Sequence, residues 1–113
     1  MIDQVQPSDL AAWLQAVSAH GQPLVLDVRE RFELQIASIK TDGLTFMAVP
    51  MSTVPMRLDD IDLSRPIACL CHHGGRSMQV AMYLEQHGCA HVANIAGGID
   101  AWSRQNDPSV PRY

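Results

Sequence analysis

The segment Pro66–Gly88, PIACLCHHGGRSMQVAMYLEQHG, contains an apolar run, a loop rich in reactive side chains and an amphipathic stretch in direct succession. Ile67–Cys71 is short and nearly all apolar, the pattern of a strand that is buried on both faces. Apolar residues recur at helical spacing over Ser77–His87, and Gly88 is suited to end a helix. The segment therefore predicts a strand, a loop at the carboxyl end of that strand, and a helix.

Similar patterns occur over the rest of the chain. Ser8 is expected to cap a first helix, which ends at His20-Gly21. Further strands are predicted at Pro23–Val28, Phe46–Met51 and His91–Ile95, and further helices at Glu30–Ile36 and Ile99–Gln105. The tail Asn106–Tyr113, with two prolines, is expected to be extended. Strands that alternate with helices are typical of a central parallel sheet covered on both faces, which is a three-layer α/β/α fold.

The bulk composition limits the classes of function. A chain of 113 residues with 47% hydrophobic and 18% charged residues is expected to form one globular domain spanning residues 1–113. The net charge of −4 offers no basic surface for nucleic acid. Neither a signal peptide nor an apolar run long enough to cross a membrane is visible, so we expect a cytoplasmic protein that binds no membrane.

The loop between the predicted strand and helix has the chemistry of an anion-binding cup. Gly74 and Gly75 let the backbone curl, so that successive N–H groups converge at the start of the helix. Such amides and the helix dipole stabilise a thiolate, which makes Cys71 a candidate nucleophile. Arg76 could bridge a bound oxyanion or hold the loop closed through backbone carbonyls. Ser77 is expected either to cap the helix or to donate to the cysteine sulfur.

The same string has other interpretations. A zinc site is disfavoured because adjacent His72 and His73 cannot readily both reach one ion and the cysteine spacing is too short. A redox pair is disfavoured because Cys69 lies in the strand, where a disulfide across one residue would be strained. Cys69 and Cys89 are therefore expected to be small buried apolar residues. The histidines are either simply exposed or in contact with substrate, and both alternatives stay open.

Four segments together resemble the rhodanese family. CHHGGRS at 71–77 is similar to the family's active-site loop, in which four residues separate a cysteine from an arginine. LDVRE at 26–30, VPM at 49–51 and NIAGGIDAW at 94–102 resemble three further family segments in the same order. The likeness covers a core of about residues 8–105, with the tail at 106–113. One departure is IASIKTDG at 36–43, where the family usually has G-H-I-x-G-A.

The resemblance implies a sulfurtransferase with Cys71 as the nucleophile. Its thiolate would take a sulfane sulfur from a donor such as thiosulfate, and the amides of residues 72–76 would hold the resulting persulfide. Cyanide or a thiol would then accept the sulfur. Asp27 and Arg29 are implied to help position the loop, and no metal or organic cofactor is expected.

Two other functions are compatible with the same residues. The chain could be a carrier that receives sulfur from a partner protein, and the closing DPSVPRY resembles tails of rhodanese domains attached to adenylating enzymes of sulfur-carrier pathways. It could also be a phosphatase or arsenate reductase. Phosphatases with a cysteine nucleophile have five residues between cysteine and arginine, whereas His72–Gly75 makes four, so the spacing favours sulfur transfer.

Overall fold

The computed structural model describes residues 1–113. At its centre lies a five-stranded sheet in which every strand pair is parallel. Its spatial order is β1-β5-β4-β2-β3. The strands are β1 Asp3–Val5, β2 Leu24–Asp27, β3 Phe46–Ala48, β4 Ile67–Leu70 and β5 Val92–Ile95. The helices are α1 Leu10–Val17, α2 Arg31–Ile36, α3 Gly75–Gln86 and α4 Gly98–Gln105.

Helices cover both faces of the sheet, which confirms the three-layer α/β/α architecture. All residues of β2, β4 and β5 are buried, and all but Asp27 and Asn94 are apolar, as expected for strands that are covered on both faces. On one face these strands pack against α3 through Val80, Ala81 and Leu84. On the other face they pack against α1 and α4 through Leu10 and Ile99.

The beginning of the chain differs from the sequence-based expectation. Asp3–Val5 adds an edge strand beside β5, which three residues of mixed polarity did not reveal. The prediction that Ser8 caps α1 is wrong. Pro7–Asp9 forms a 3₁₀ turn that leads directly into the helix, and the Leu10 N–H donates to the Pro7 carbonyl instead. The fixed φ of proline suits such a turn, so no side-chain cap is needed.

The end of the chain also departs from the expectation. The prediction of an extended tail is wrong for Asp107–Val110, where the Val110 N–H donates to the Asp107 carbonyl (3.0 Å). Val110 is buried, and the Ser103 hydroxyl donates to its carbonyl (2.7 Å). The tail therefore folds back against the domain.

The central position of β4 determines where a site can form. β4 lies between β2 and β5, with Leu26 opposite Cys69 and Cys69 opposite Asn94. The segments that follow these three parallel strands consequently meet at one edge of the sheet, the usual place for a ligand site in such folds. None of the helices is long and apolar enough to span a membrane.

Candidate active site

Cys71 directly follows β4 and points into the loop that leads to α3. The residue is only 1% exposed. Its Sγ accepts a hydrogen bond from the Gly74 N–H (3.1 Å) and lies 3.2 Å from the Ser77 Oγ. Gly74 has φ of 108°, a left-handed conformation that glycine adopts without strain and that lets the chain turn from the loop into α3. Among the amides of residues 72–76, that of Gly74 is the one hydrogen-bonded to Sγ.

Ser77 and Asn94 form a polar contact behind the cysteine. The Ser77 Oγ lies 2.5 Å from the Asn94 Oδ1, and both residues are buried. The Asn94 amide group donates to the Gly74 carbonyl (3.2 Å) and to the Gln4 side chain (3.0 Å). The expectation that Ser77 caps α3 is wrong, because the cap position is Gly74. The Ser77 Oγ lies next to the sulfur, but its one proton is donated to the nearer Asn94 Oδ1. Asn94 thus ties the loop backbone to β5.

The start of α4 holds the loop from a second side. The Ile99 N–H donates to the Cys71 carbonyl (2.8 Å), and the Asp100 N–H donates to the His72 carbonyl (3.1 Å). Gly98 has φ of 61°, and a Cβ there would collide with both of those carbonyl oxygens. A glycine at this position is therefore what lets two helix amides reach the loop backbone.

Arg76 is committed to a carboxylate rather than to the loop backbone. Its two terminal nitrogens donate to the two Glu33 oxygens at 2.6 and 2.8 Å. The expectation that Arg76 holds backbone carbonyls is wrong, because this bidentate pair engages both nitrogens. Hydrogen bonds from Arg76, from the Glu30 N–H and from the Tyr113 hydroxyl lower the pKa of Glu33 to about 2, against the opposing effect of burial.

Asp27 and Arg29 form a fully buried pair at the end of β2. The Arg29 Nε and Nη2 donate to the Asp27 carboxylate at 2.8 to 3.1 Å. The Arg29 Nη1 donates to the carbonyls of Glu33 (3.3 Å) and Ala37 (2.8 Å), which lie at the end of α2. Arg29 therefore fixes the helix that carries Glu33. Ala37 belongs to the segment that departs from the family pattern, and its side chain is buried.

The two loop histidines occupy different surroundings. The His72 ring stacks on His73 (centroids 3.9 Å apart) and on Tyr113 (3.8 Å, with an interplanar angle of 6°). The His72 Nε2 is buried without a hydrogen-bond partner. Burial, reinforced by neighbouring His73, lowers the pKa of His72. His72 is consequently part of the packing around the loop, whereas His73 is exposed.

The other two cysteines lie in the core. Cys69 is 0% exposed and Cys89 is 2% exposed, as their apolar surroundings predict. Burial raises the pKa of both thiols, which keeps them protonated and unreactive. All three cysteines are free, and no group of three or more His, Cys, Asp or Glu side chains is placed to hold a metal ion.

Three residues around the loop escaped the sequence analysis. Glu33 carried a local signal, since Glu30 and Glu33 form a capping box at the start of α2. Asn94 precedes the Gly97-Gly98 turn, but its inward direction depends on the register of β5. Tyr113 had no local signal, because it reaches Glu33 across 80 residues of sequence.

In this chain a buried cysteine follows a central parallel strand, and a glycine-containing loop leads from it into a helix. This arrangement defines a class of α/β proteins with a cysteine loop. Within that class, the chain belongs to the rhodanese-like domain family, whose model matches residues 10–105. This family membership confirms the resemblance that the four sequence segments indicated.

Known proteins resemble the chain over nearly its whole length. It is 34% identical over 116 residues to the rhodanese-like/PpiC domain-containing protein 12 (chloroplastic) of Arabidopsis thaliana, covering 99% of this chain but 38% of that protein. It is 32% identical over 110 residues to a sulfurtransferase of Allochromatium vinosum, covering 97% and 96%. A crystal structure of a rhodanese-related protein from Thermoplasma volcanium superposes with a TM-score of 0.75 at 29% identity, covering 98% and 99%.

Proposed function

We propose that the protein is a sulfurtransferase that moves a sulfane sulfur through a persulfide on Cys71. The observation that carries the proposal is the arrangement around Sγ, which is enclosed by its loop and contacted by the Gly74 N–H and the Ser77 hydroxyl. The Gly74 N–H can donate to a sulfur anion, and the start of α3 adds the positive end of a helix dipole. The Ser77 Oγ lies beside the sulfur, with its one proton donated to the Asn94 Oδ1. The Gly74 N–H and the helix start therefore lie where the negative charge of an attacking sulfur would form.

The first half-reaction uses this thiolate as the attacking group. With thiosulfate as donor, the Cys71 sulfur bonds to the outer sulfur of thiosulfate, the sulfur–sulfur bond of the donor breaks, and sulfite leaves with the electron pair. Cys71 is then a persulfide anion. The second sulfur lies about 2 Å beyond Sγ, which is the length of a sulfur–sulfur bond.

The second half-reaction returns the cysteine to its starting state. A thiolate or cyanide attacks the outer sulfur, the bond between the two sulfurs breaks, and Cys71 leaves as a thiolate. The product is a new persulfide or thiocyanate. The Gly74 N–H stabilises the leaving thiolate as it stabilised the attacking one. Two half-reactions through one persulfide on the protein constitute ping-pong covalent catalysis.

Three features favour sulfur over phosphorus as the centre that Cys71 attacks. Only four residues separate Cys71 from Arg76, the cysteine is almost entirely covered, and the guanidinium of Arg76 is bound by Glu33 instead of being free for an oxyanion. The group that stays on Cys71 after sulfur transfer is a single atom, whereas a phosphorylated cysteine would hold a tetrahedral phosphate group inside the loop.

A carrier role is the second candidate, with a persulfide on a partner protein as the donor. It is favoured by the relation to longer proteins, since the chain spans 38% of the Arabidopsis relative. The enclosure of Sγ is compatible with it, because a protein donor can present one sulfur atom at the loop. The same persulfide on Cys71 is the intermediate in both roles.

Mass spectrometry of the intact protein distinguishes the two roles. We expect one added sulfur atom after incubation with thiosulfate for the enzyme, and only after incubation with a cysteine desulfurase and cysteine for the carrier. Cys71→Ser should abolish the addition, whereas Cys69→Ser and Cys89→Ser should retain it. If wild-type protein gained no sulfur from either donor, or if Cys71→Ser transferred sulfur at the full rate, the proposed function would be wrong.

A further inference from the structure

The side chain of Tyr113 reaches the cysteine loop from the folded-back tail. The buried Val110 and its hydrogen bond from Ser103 anchor the tail against α4. Tyr113 is partly buried. Its ring lies against His72, the residue after Cys71. Its hydroxyl contacts Arg29 and Glu33, and Glu33 is the carboxylate that binds Arg76. The Tyr113 side chain therefore contacts His72 at one end of the loop and Glu33, the partner of Arg76, at the other end.

The hydroxyl of Tyr113 uses both of its hydrogen-bonding capacities. It donates to the Glu33 Oε1 (2.9 Å) and accepts from the Arg29 Nη1 (3.1 Å). Arg29 is fully buried and Glu33 is 5% exposed, so water cannot easily replace either contact. Since Glu33 holds both terminal nitrogens of Arg76, the hydroxyl supports the far end of the loop through this carboxylate.

The ring of Tyr113 acts on the near end of the loop. It stacks almost parallel on His72 and, with His73, places that imidazole between two rings. The His72 Nε2 is buried and has no hydrogen-bond partner, a condition that costs free energy and persists only where packing enforces it. The tyrosine ring is one of the two rings that stack on this imidazole.

We propose that Tyr113 is a positioning residue that braces the cysteine loop at both ends, at His72 through its ring and at Arg76 through Glu33. The loop between these ends contains adjacent glycines, Gly74 and Gly75, whose backbone has the greatest freedom to move. Bracing both ends keeps the Gly74 N–H aimed at Sγ. The expected effect on the rate rests on the proposed sulfur transfer, whereas the expected effect on the pKa values of Glu33 and His72 does not.

Two substitutions separate the hydroxyl from the ring. Tyr113→Phe removes the hydrogen bond to Glu33 and keeps the stacking, so the pKa of Glu33 should rise from about 2 while that of His72 stays as in the wild type. Tyr113→Ala removes both, so the pKa of His72 should rise as well, because water then reaches Nε2. NMR titration of both side chains measures these pKa values. The other groups that act on His72 are the Tyr113 backbone, which both variants keep, and the side chains of His73, Glu33 and Arg76.

Sulfur transfer should fall in the same order. We expect a decrease of about threefold in kcat for Tyr113→Phe and about tenfold for Tyr113→Ala. These losses are smaller than the full worth of a hydrogen bond to a charged group, because Tyr113 acts on the sulfur only through Glu33 and His72. Tyr83→Phe is the matched control, because it removes the hydroxyl of the other tyrosine, which lies on α3 and makes no hydrogen bond through that hydroxyl. It should leave the rate and both pKa values unchanged.

These experiments test the role of Tyr113 separately from the proposed function. Unchanged titrations in both Tyr113 variants would overturn that role, and so would a loss of rate in Tyr83→Phe equal to that in Tyr113→Phe. If wild-type protein transfers no sulfur, the proposed function fails, and the titrations still test the brace. If Tyr113→Ala does not fold, Tyr113→Phe decides, since an unchanged Glu33 pKa in that variant refutes the link to Arg76.

Discussion

Replacing Glu33 with glutamine tests the ion pair that supports the cysteine loop. The carboxylate is 6% exposed, while its partner Arg76 is 32% exposed. The pKa of Glu33 falls from 4.5 to about 2, and one pKa unit corresponds to about 1.4 kcal/mol. Allowing for solvent at the partly exposed Arg76, the carboxylate contributes about 2–3 kcal/mol to the free energy of unfolding at neutral pH.

The contribution of Glu33 depends on pH with a definite sign. Because its pKa is lower in the folded than in the unfolded protein, the stabilisation is complete above about pH 4.5 and is lost as the pH falls toward about 2. The glutamine side chain that replaces it is neutral at every pH. The difference in stability between wild type and Glu33→Gln should therefore be largest at neutral pH and shrink below about pH 4.5.

Urea unfolding at a series of pH values, followed by the fluorescence of Trp13 and Trp102, measures this difference. Asp60→Asn is a suitable control because it removes an exposed pair with Arg57 and should cost less than about 1 kcal/mol. A Glu33→Gln difference that stays constant between about pH 7 and about pH 3 would refute the assignment of this stability to the carboxylate.

Two further substitutions test the contacts that hold the loop in place. Gly98→Ala should lower the free energy of unfolding by at least about 3 kcal/mol, because the new Cβ meets two loop carbonyls at positive φ. Gly43 also has a positive φ, of 77°, but nothing lies within 4 Å of a Cβ there, so Gly43→Ala should cost only about 1 kcal/mol. Equal melting temperatures for these two variants would contradict the close approach. Asp27→Asn should cost about 3–5 kcal/mol in urea unfolding, because it leaves the Arg29 charge buried without its partner, and a loss below about 1 kcal/mol would contradict this.

The sequence predicted the architecture because its signals are local. Each of β2, β4 and β5 is a short apolar run, and α3 and α4 follow glycine-containing turns, so neighbouring residues suffice to identify them. Asp3–Val5 escaped because a three-residue edge strand is defined by its partner β5 rather than by its own pattern. The capping prediction at Ser8 failed because a proline turn served the same purpose.

The roles of the charged residues could not be assigned in the same way. The sequence placed Arg76 at the end of the loop but not its partner, since Glu33 lies 43 residues away on α2. Asp27 and Arg29 were recognisable as neighbours, and the structure shows that Arg29 anchors the helix carrying that partner. Their influence on the loop stays a prediction.

By itself, the sequence determined that one cysteine opens a short glycine loop between a central strand and a helix, because strand, turn and helix preferences are properties of adjacent residues. The tertiary structure decided what surrounds that cysteine. Asn94, Glu33 and Tyr113 come from β5, α2 and the tail, and only the parallel order of the sheet and the folding back of the tail bring them to the loop. Contacts between residues this far apart in sequence depend on the packing of the whole domain.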